Sequence, residues 1–204
     1  NAQYLYTPRG NKSHALNQAL EAIGDGLVFF TDDDVRVHPR TLSAYAEAVD
    51  RVEGKAFFGG PVSPDYEEPP PDWIKPHLPD SASGWSLEEY PNRWYEFLGF
   101  NWAAYSEDIR DAGGFDVRFG PGSVLNATGQ ESQMQKRLQE KGFARKYVSD
   151  ARVWHYVPEE REIIRFTKYT ILLDRKKSIG RILEIAERAG NIYGIFSCIN
   201  DEKT

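Results

Sequence analysis

Leu27-Val28-Phe29-Phe30-Thr31-Asp32-Asp33-Asp34 joins four consecutive apolar residues to three consecutive carboxylates. An apolar run without alternation reads as a strand buried on both faces. Three adjacent carboxylates at its C-terminal end repel one another unless a cation or a set of donors offsets the charge. Ligands of open α/β sheets bind at that edge. Hard oxygen donors there suit Mg2+ or Mn2+, which also hold a diphosphate. A solvated acidic turn, or aspartates capping a following helix, accounts for the same residues without a metal.

Upstream of this stretch, Tyr4-Leu5-Tyr6 reads as a short strand and Pro8 to Lys12 as a loop. From Ser13, the residues Ala15, Leu16, Ala19, Leu20 and Ile23 recur at helical spacing, and Gly24 is the expected stop. Downstream, Pro39 suits the first turn of a helix carrying Leu42, Tyr45, Ala46, Val49 and Val52 on one side. Ala56 to Phe58 reads as another strand, closed by Gly59-Gly60. The order helix, strand, helix, strand predicts an α/β sheet with parallel neighbours.

Residues 61–93 hold eight of the twelve prolines together with Trp73 and Trp85, and no regular structure is expected of them. They read as a loop serving a site or as a surface insertion. After them come the aromatic stretch Trp94 to Tyr105, a short helix over Glu107 to Ala112 stopped by Gly113-Gly114, and a loop with Gly120, Gly122 and Gly129. A helix is predicted from Gln130 to Lys141, closed by Gly142, and Tyr147-Val148 and Val153 to Tyr156 read as short strands or turns. Glu160 to about Ala189 reads as a long helix rich in arginine, lysine and apolar residues, suited to packing on a core or to lying on a membrane surface.

Bulk properties bound the answer. The chain has 204 residues, 40% hydrophobic and 13% aromatic, enough for one well-buried core. No run approaches the roughly 18 apolar residues of a membrane span, and no secretion signal is expected. The net charge of -6 argues against nucleic-acid binding, although a divalent cation lets an acidic domain hold an anionic nucleotide. The single cysteine, Cys198, forms no intrachain disulfide and fits a reducing compartment, so a cytoplasmic location is expected, with the cytoplasmic membrane face as the variant.

Three further places carry candidate chemistry. His155, in an apolar context, suits either a hydrogen-bonded core position or a metal ligand. Glu131 begins a predicted helix, where a carboxylate serves as a cap or, in a cleft, as a general base. Arg9, Asn11 and Lys12 precede a helix start, a good place to hold phosphate or a nucleobase. Neither a Gly-x-Ser-x-Gly nor a Walker pattern is present.

In combination these pieces resemble the family 2 glycosyltransferases. Arg9-Gly10-Asn11-Lys12 through Ala15-Leu16-Asn17 and then Phe29 to Asp34 resemble their nucleotide-binding region. Gly113-Gly114-Phe115-Asp116, Gly129-Gln130-Glu131 and Arg137-Leu138 look like their acceptor-side motif, and Asp150-Ala151 to His155 like the end of the pattern. The order holds from about residue 4 to 156, roughly three quarters of the chain.

The resemblance implies a GT-A fold, a Rossmann-like α/β sandwich, with residues 1–156 as catalytic domain and 157–204 as a C-terminal helical extension. It implies transfer of a sugar from a nucleoside diphosphate-sugar to a carbohydrate or lipid-linked acceptor, with Mn2+ or Mg2+. Arg9, Asn11, Lys12, Asp32 and Asp33 would hold the donor, and Asp33, Asp34 and His155 the metal. Glu131 would be the base, and one base in one displacement predicts inversion at the anomeric carbon. Gln130 stands where the family more often has a second acidic residue, which leaves the role to Glu131. Trp73, Trp85 and Trp102 are candidates for stacking on acceptor sugar rings.

Family members usually begin with a strand, a helix and another strand that precede the residues matched here. A truncated domain is therefore expected, whose exposed sheet edge would pair with a second copy. The same absence favours a second reading, a non-catalytic carbohydrate- or metal-binding fragment unable to hold donor. A third, a phosphohydrolase using the aspartates, leaves the Gly-Gly-Phe-Asp and Gly-Gln-Glu stretches unexplained.

Overall fold

The computed structural model describes residues 3–72, 75, 78–89, 96–124 and 128–158. Trp73, Cys198 and the helix expected over Glu160 to Ala189 lie outside these residues. The chain divides into two compact units, Asn1–Asp65 with Pro79–Tyr156 and Tyr66–Leu78 with Val157–Thr204. In the second, the Glu67 N–H donates to the Val157 carbonyl at 3.1 Å and Lys75 pairs with Asp72 at 2.7 Å. Among the described residues no helix is long and apolar enough to cross a membrane.

The elements run α1 (Lys12–Ala22), β1 (Leu27–Phe30), β2 (Val35–Val37), α2 (Thr41–Asp50), β3 (Ala56–Gly59) and β4 (Val62–Tyr66). They continue with α3 (Asp80–Ser83), β5 (Trp102–Tyr105), α4 (Ser106–Asp111), α5 (Gln130–Glu140), β6 (Ala144–Tyr147) and β7 (Val153–Val157). This is a mixed α/β arrangement. One sheet has the order β1-β5-β3-β6, the other β2-β7-β4.

The expectation of parallel neighbours holds for β3 and β6. Strand β5 lies between β1 and β3 and runs antiparallel to both. The physical reason is the connection: a crossover helix enforces parallel pairing, whereas the proline-rich chain between β3 and β5 leaves the return direction open. Among the described residues β1 is thereby an edge strand, with Leu27, Val28 and Phe29 half-buried and Phe30 buried, rather than the whole run being covered on both faces. The fully covered strand is β3, buried at all four positions.

Strand alternation sends side chains to two cores. Phe57, Trp102 and Ala104 join Leu20 of α1, Ile109 of α4 and Met134 and Leu138 of α5 on one face. Ala56, Phe58 and Ala103 join Ala44 and Tyr45 of α2 on the other. Residues 61–93, expected to be irregular, contain β4 and α3, and Val62 bridges Trp85 in antiparallel fashion. Pro64 is compatible with a strand because β4 lies at the edge of its sheet.

Asn101, fully buried at the start of β5, ties these pieces together. Its Nδ2 donates to the carbonyls of Pro61 and Ala151, each at 2.9 Å, and its Oδ1 accepts from the Tyr45 hydroxyl at 2.8 Å. Burial pushes the Tyr45 pKa well above its ordinary value, keeping the hydroxyl a donor.

Candidate functional site

The helix α1 begins with a side-chain cap, the Asn11 Oδ1 accepting from the His14 N–H at 2.8 Å. The Asn11 Nδ2 donates to the Val117 carbonyl at 2.9 Å, Ser13 Oγ to that of Phe119 at 2.8 Å and Asn17 Nδ2 to that of Phe115 at 2.8 Å. Asn17 Oδ1 also accepts from the Phe115 N–H at 2.7 Å. From the other side, Arg137 of α5 donates to the carbonyls of Ala112 and Gly114. Gly122 completes the clasp: a Cβ there would lie 1.5 Å from the Gly10 carbonyl oxygen, and its φ of +76° suits glycine. Side chain-to-backbone bonds therefore bind the start of α1 to the glycine-rich loop before α5.

This docking brings the titratable groups together. Lys12 Nζ lies 2.8 Å from Asp32 Oδ1 and 3.0 Å from Glu131 Oε1. The Lys12 and Asp32 side chains are about one third exposed, while Glu131 is buried in the first turn of α5, where the helix dipole favours negative charge. Burial by itself would lower the Lys12 pKa, but the Glu131 charge and the hydrogen bond to Asp32 outweigh it and raise it from the ordinary lysine value. One ammonium thus offsets the repulsion between two carboxylates from separate elements.

A second pair lies where β2 meets β7. The register Val35↔His155 sets His155 beside the end of the acidic stretch, and the Tyr156 N–H donates to the Asp34 carbonyl at 2.8 Å. His155 Nε2 is 3.6 Å from Asp34 Oδ2, and its ring stacks on Phe100 at 4.6 Å. The buried Nδ1 has no hydrogen-bond partner among the described residues. Asp33 is exposed on the turn between β1 and β2. Among the described residues, no group of three or more His, Cys, Asp or Glu side chains is arranged to hold a metal.

No family model matches the chain, and no curated protein matches it. Among solved structures it is similar to the mannosyltransferase PcManGT from Pyrobaculum calidifontis in complex with GDP-Man and Mn2+. The two share 20% identity with a TM-score of 0.46, over 91% of this chain and 50% of that one. The chain thus spans half the length of that protein.

Of the residues expected to form a site, the structure gathers Lys12, Asp32 and Glu131 at one point and Asp34 and His155 at another. Arg9 is exposed in the loop before α1. Asn11, expected to hold donor, has both ends of its amide engaged in capping α1 and tethering Val117. The expectation for Trp85 and Trp102 is corrected, while Trp73 lies outside the described residues. Trp85 is 1% exposed, with Phe97 and Tyr147 edge-on at 5.8 Å, and Trp102 is 0% exposed, stacked on Phe30 at 4.5 Å. Neither offers a face to a sugar, because a large aromatic surface is most stable inside. Among the described tryptophans the partly exposed one is Trp154, whose ring lies 4.3 Å from the Arg36 guanidinium carbon. The sequence reading also missed β2, whose apolar residues Val35 and Val37 show the period-2 signature on either side of Arg36.

Proposed function

We propose that this chain is the catalytic domain of a family 2, GT-A-type glycosyltransferase that moves a sugar from a nucleoside diphosphate-sugar to an acceptor hydroxyl with inversion. The observation that carries this reading is the Lys12 ammonium held between Asp32 and Glu131. It joins two carboxylates from separate elements through one ammonium, and the reading assigns Asp32 to the donor, Lys12 to its phosphates and Glu131 to the acceptor. In the proposed step Glu131 takes the proton of the acceptor hydroxyl as its oxygen bonds to the anomeric carbon. The bond from that carbon to the diphosphate oxygen breaks, and the nucleoside diphosphate leaves with the electron pair. Lys12 is placed to face charge developing on the diphosphate, and Asp32 to accept from the ribose hydroxyls.

Asp34 and His155, 3.6 Å apart, would hold Mn2+ or Mg2+ together with oxygens of the diphosphate. His155 Nε2 faces Asp34 Oδ2 at 3.6 Å, so the imidazole is aimed at the acidic turn, and its buried Nδ1 has no hydrogen-bond partner among the described residues. When bound, the ion supplies Lewis-acid stabilisation of the leaving diphosphate.

A thermal-shift titration with UDP, GDP and dTDP, each with and without Mn2+, tests the reading. The expected result is a rise in Tm that needs nucleotide and metal together, and that is lost in Asp34→Asn. No shift with any pair of nucleotide and metal would overturn donor binding by this chain.

A further inference from the structure

Gly99 precedes β5 by three residues and makes no hydrogen bond that marks it for chemistry. Its importance is steric. A Cβ built on it would lie 2.7 Å from Glu131 Cδ, 2.9 Å from Cγ and 3.0 Å from Oε2. Real Cβ atoms do not approach so closely, so any side chain at this position requires a displacement. The atoms in the way are the far end of a flexible glutamate rather than backbone, and the carboxylate is therefore what would move. On its other side the same carboxylate is held by Lys12 Nζ, 3.0 Å from Oε1. Glu131 is confined between a bare stretch of backbone and an ammonium.

The backbone at Gly99 is itself fixed. Gln135 lies one turn beyond Glu131 on α5 and is fully buried. Its Oε1 accepts from the Phe97 N–H at 2.7 Å and its Nε2 donates to the Phe97 carbonyl at 3.0 Å. Both polar groups of one residue, two positions before Gly99, are satisfied by one side chain of the helix that carries Glu131. An i, i+4 pair on α5 thus clamps the segment with one member and rests the other against it.

We propose that Gly99, held by the Gln135 clamp, is the positioning residue that sets the location of the Glu131 carboxylate. For catalysis this deepens the reading of Glu131 as the base and rests on it; as a statement about where the carboxylate sits, it stands on the geometry alone.

Gly99→Ala tests it with two readouts. The first is the 13C resonance of the Glu131 side-chain carboxyl, identified by its loss in Glu131→Gln. The second is release of nucleoside diphosphate from UDP-glucose, GDP-mannose and dTDP-glucose with Mn2+. The expected variant keeps its Tm within a few degrees of the parent and shows a displaced carboxyl resonance. Its kcat falls about 100-fold at unchanged donor KM, in line with the cost of misplacing a reacting group by about 1 Å. Shortening the acid in Gly99→Ala with Glu131→Asp makes room for the new methyl group and is expected to restore part of that loss.

A carboxyl resonance and kcat equal to those of the parent would overturn the proposal, and so would a lowered Tm with the resonance unmoved. If the parent releases nucleoside diphosphate from none of the donors, the functional reading fails. The resonance then decides the positioning alone, displaced in support and unmoved against. Should Gly99→Ala fail to fold, Gln135→Met, which unhooks Phe97 at similar volume, must displace the same resonance; an unmoved signal there overturns the proposal.

Discussion

Around Asp116 the Arg118 side chain donates to both carboxylate oxygens, Nε at 3.0 Å to each and Nη2 at 2.6 Å to Oδ2, while the Arg118 N–H donates to Oδ1 at 2.9 Å. These bonds hold the Asp116 carboxyl far below the ordinary carboxylate range. A folded pKa depressed in this way contributes stability above the unfolded value, and that stability is lost as pH falls toward the folded value. Asp116→Asn is therefore expected to lower Tm at pH 7, with the gap to the parent closing once the pH drops below about 4. Thermal melts of both proteins from pH 7 to pH 2 check the sign, and a gap that stays constant across that range would rule out the ionic contribution. The residue also accepts weakly from Gln133 at 3.5 Å, which links the Gly-Gly-Phe-Asp turn to α5.

At the level of elements, the Asn101 amide joins β5 to the chain after β3 and to the turn before β7. Replacing it by alanine removes three buried hydrogen bonds and leaves the Ala151 carbonyl without this donor, while the Tyr45 hydroxyl keeps the Asn101 carbonyl at 3.2 Å and the Pro61 carbonyl keeps the Val153 N–H at 3.2 Å. The expected cost is about 3 kcal/mol, measured as a shift of the urea midpoint at unchanged slope. α1, β1, α2, β3, α4 and α5 were legible in the sequence because each carries its own periodicity or apolar run, with a glycine stop after several. β2 and β4 were not, since a strand of three residues and one containing Pro64 are defined by their partners rather than by their own pattern. The same limit governs the candidate site. Lys12, Asp32, Asp34, Glu131 and His155 stood out by type and place in a motif. Their grouping into Lys12 with both carboxylates, and His155 with Asp34, follows from the α1-to-loop clasp and the β2–β7 register. Gly99 and Gln135 left no signal because a missing side chain and a backbone-bound amide are both silent in one sequence. Trp85 and Trp102 misled for the opposite reason, being conspicuous as aromatic side chains that the fold nevertheless buries.

For the molecule as a whole, the open side of β1 is the feature with the widest reach. In the sheet order β1-β5-β3-β6, β1 pairs with β5 alone among the described residues. A strand edge carrying unpaired N–H and C=O groups is a template for another chain. We propose self-association through Leu27–Phe30, read as twice the chain mass by light scattering as concentration rises. Amide hydrogen exchange locates the contact: outward-facing amides of β1 gain protection with concentration if the edge pairs. A mass that stays at one chain over the same range would remove this expectation.

The arrangement on α5 has a consequence for how this chain tolerates change in length. Glu131 and Gln135 act on the same stretch of backbone only because four residues bring a helix round by slightly more than one turn, at about 100° per residue. Substitutions at the intervening positions leave that phase untouched. A single residue inserted between them would swing the carboxylate roughly a quarter of a turn off its seat while the clamp stayed closed. Insertions and deletions in this short span should therefore be far more damaging than any conservative exchange within it, a sensitivity to spacing that belongs to the helix pitch rather than to either side chain.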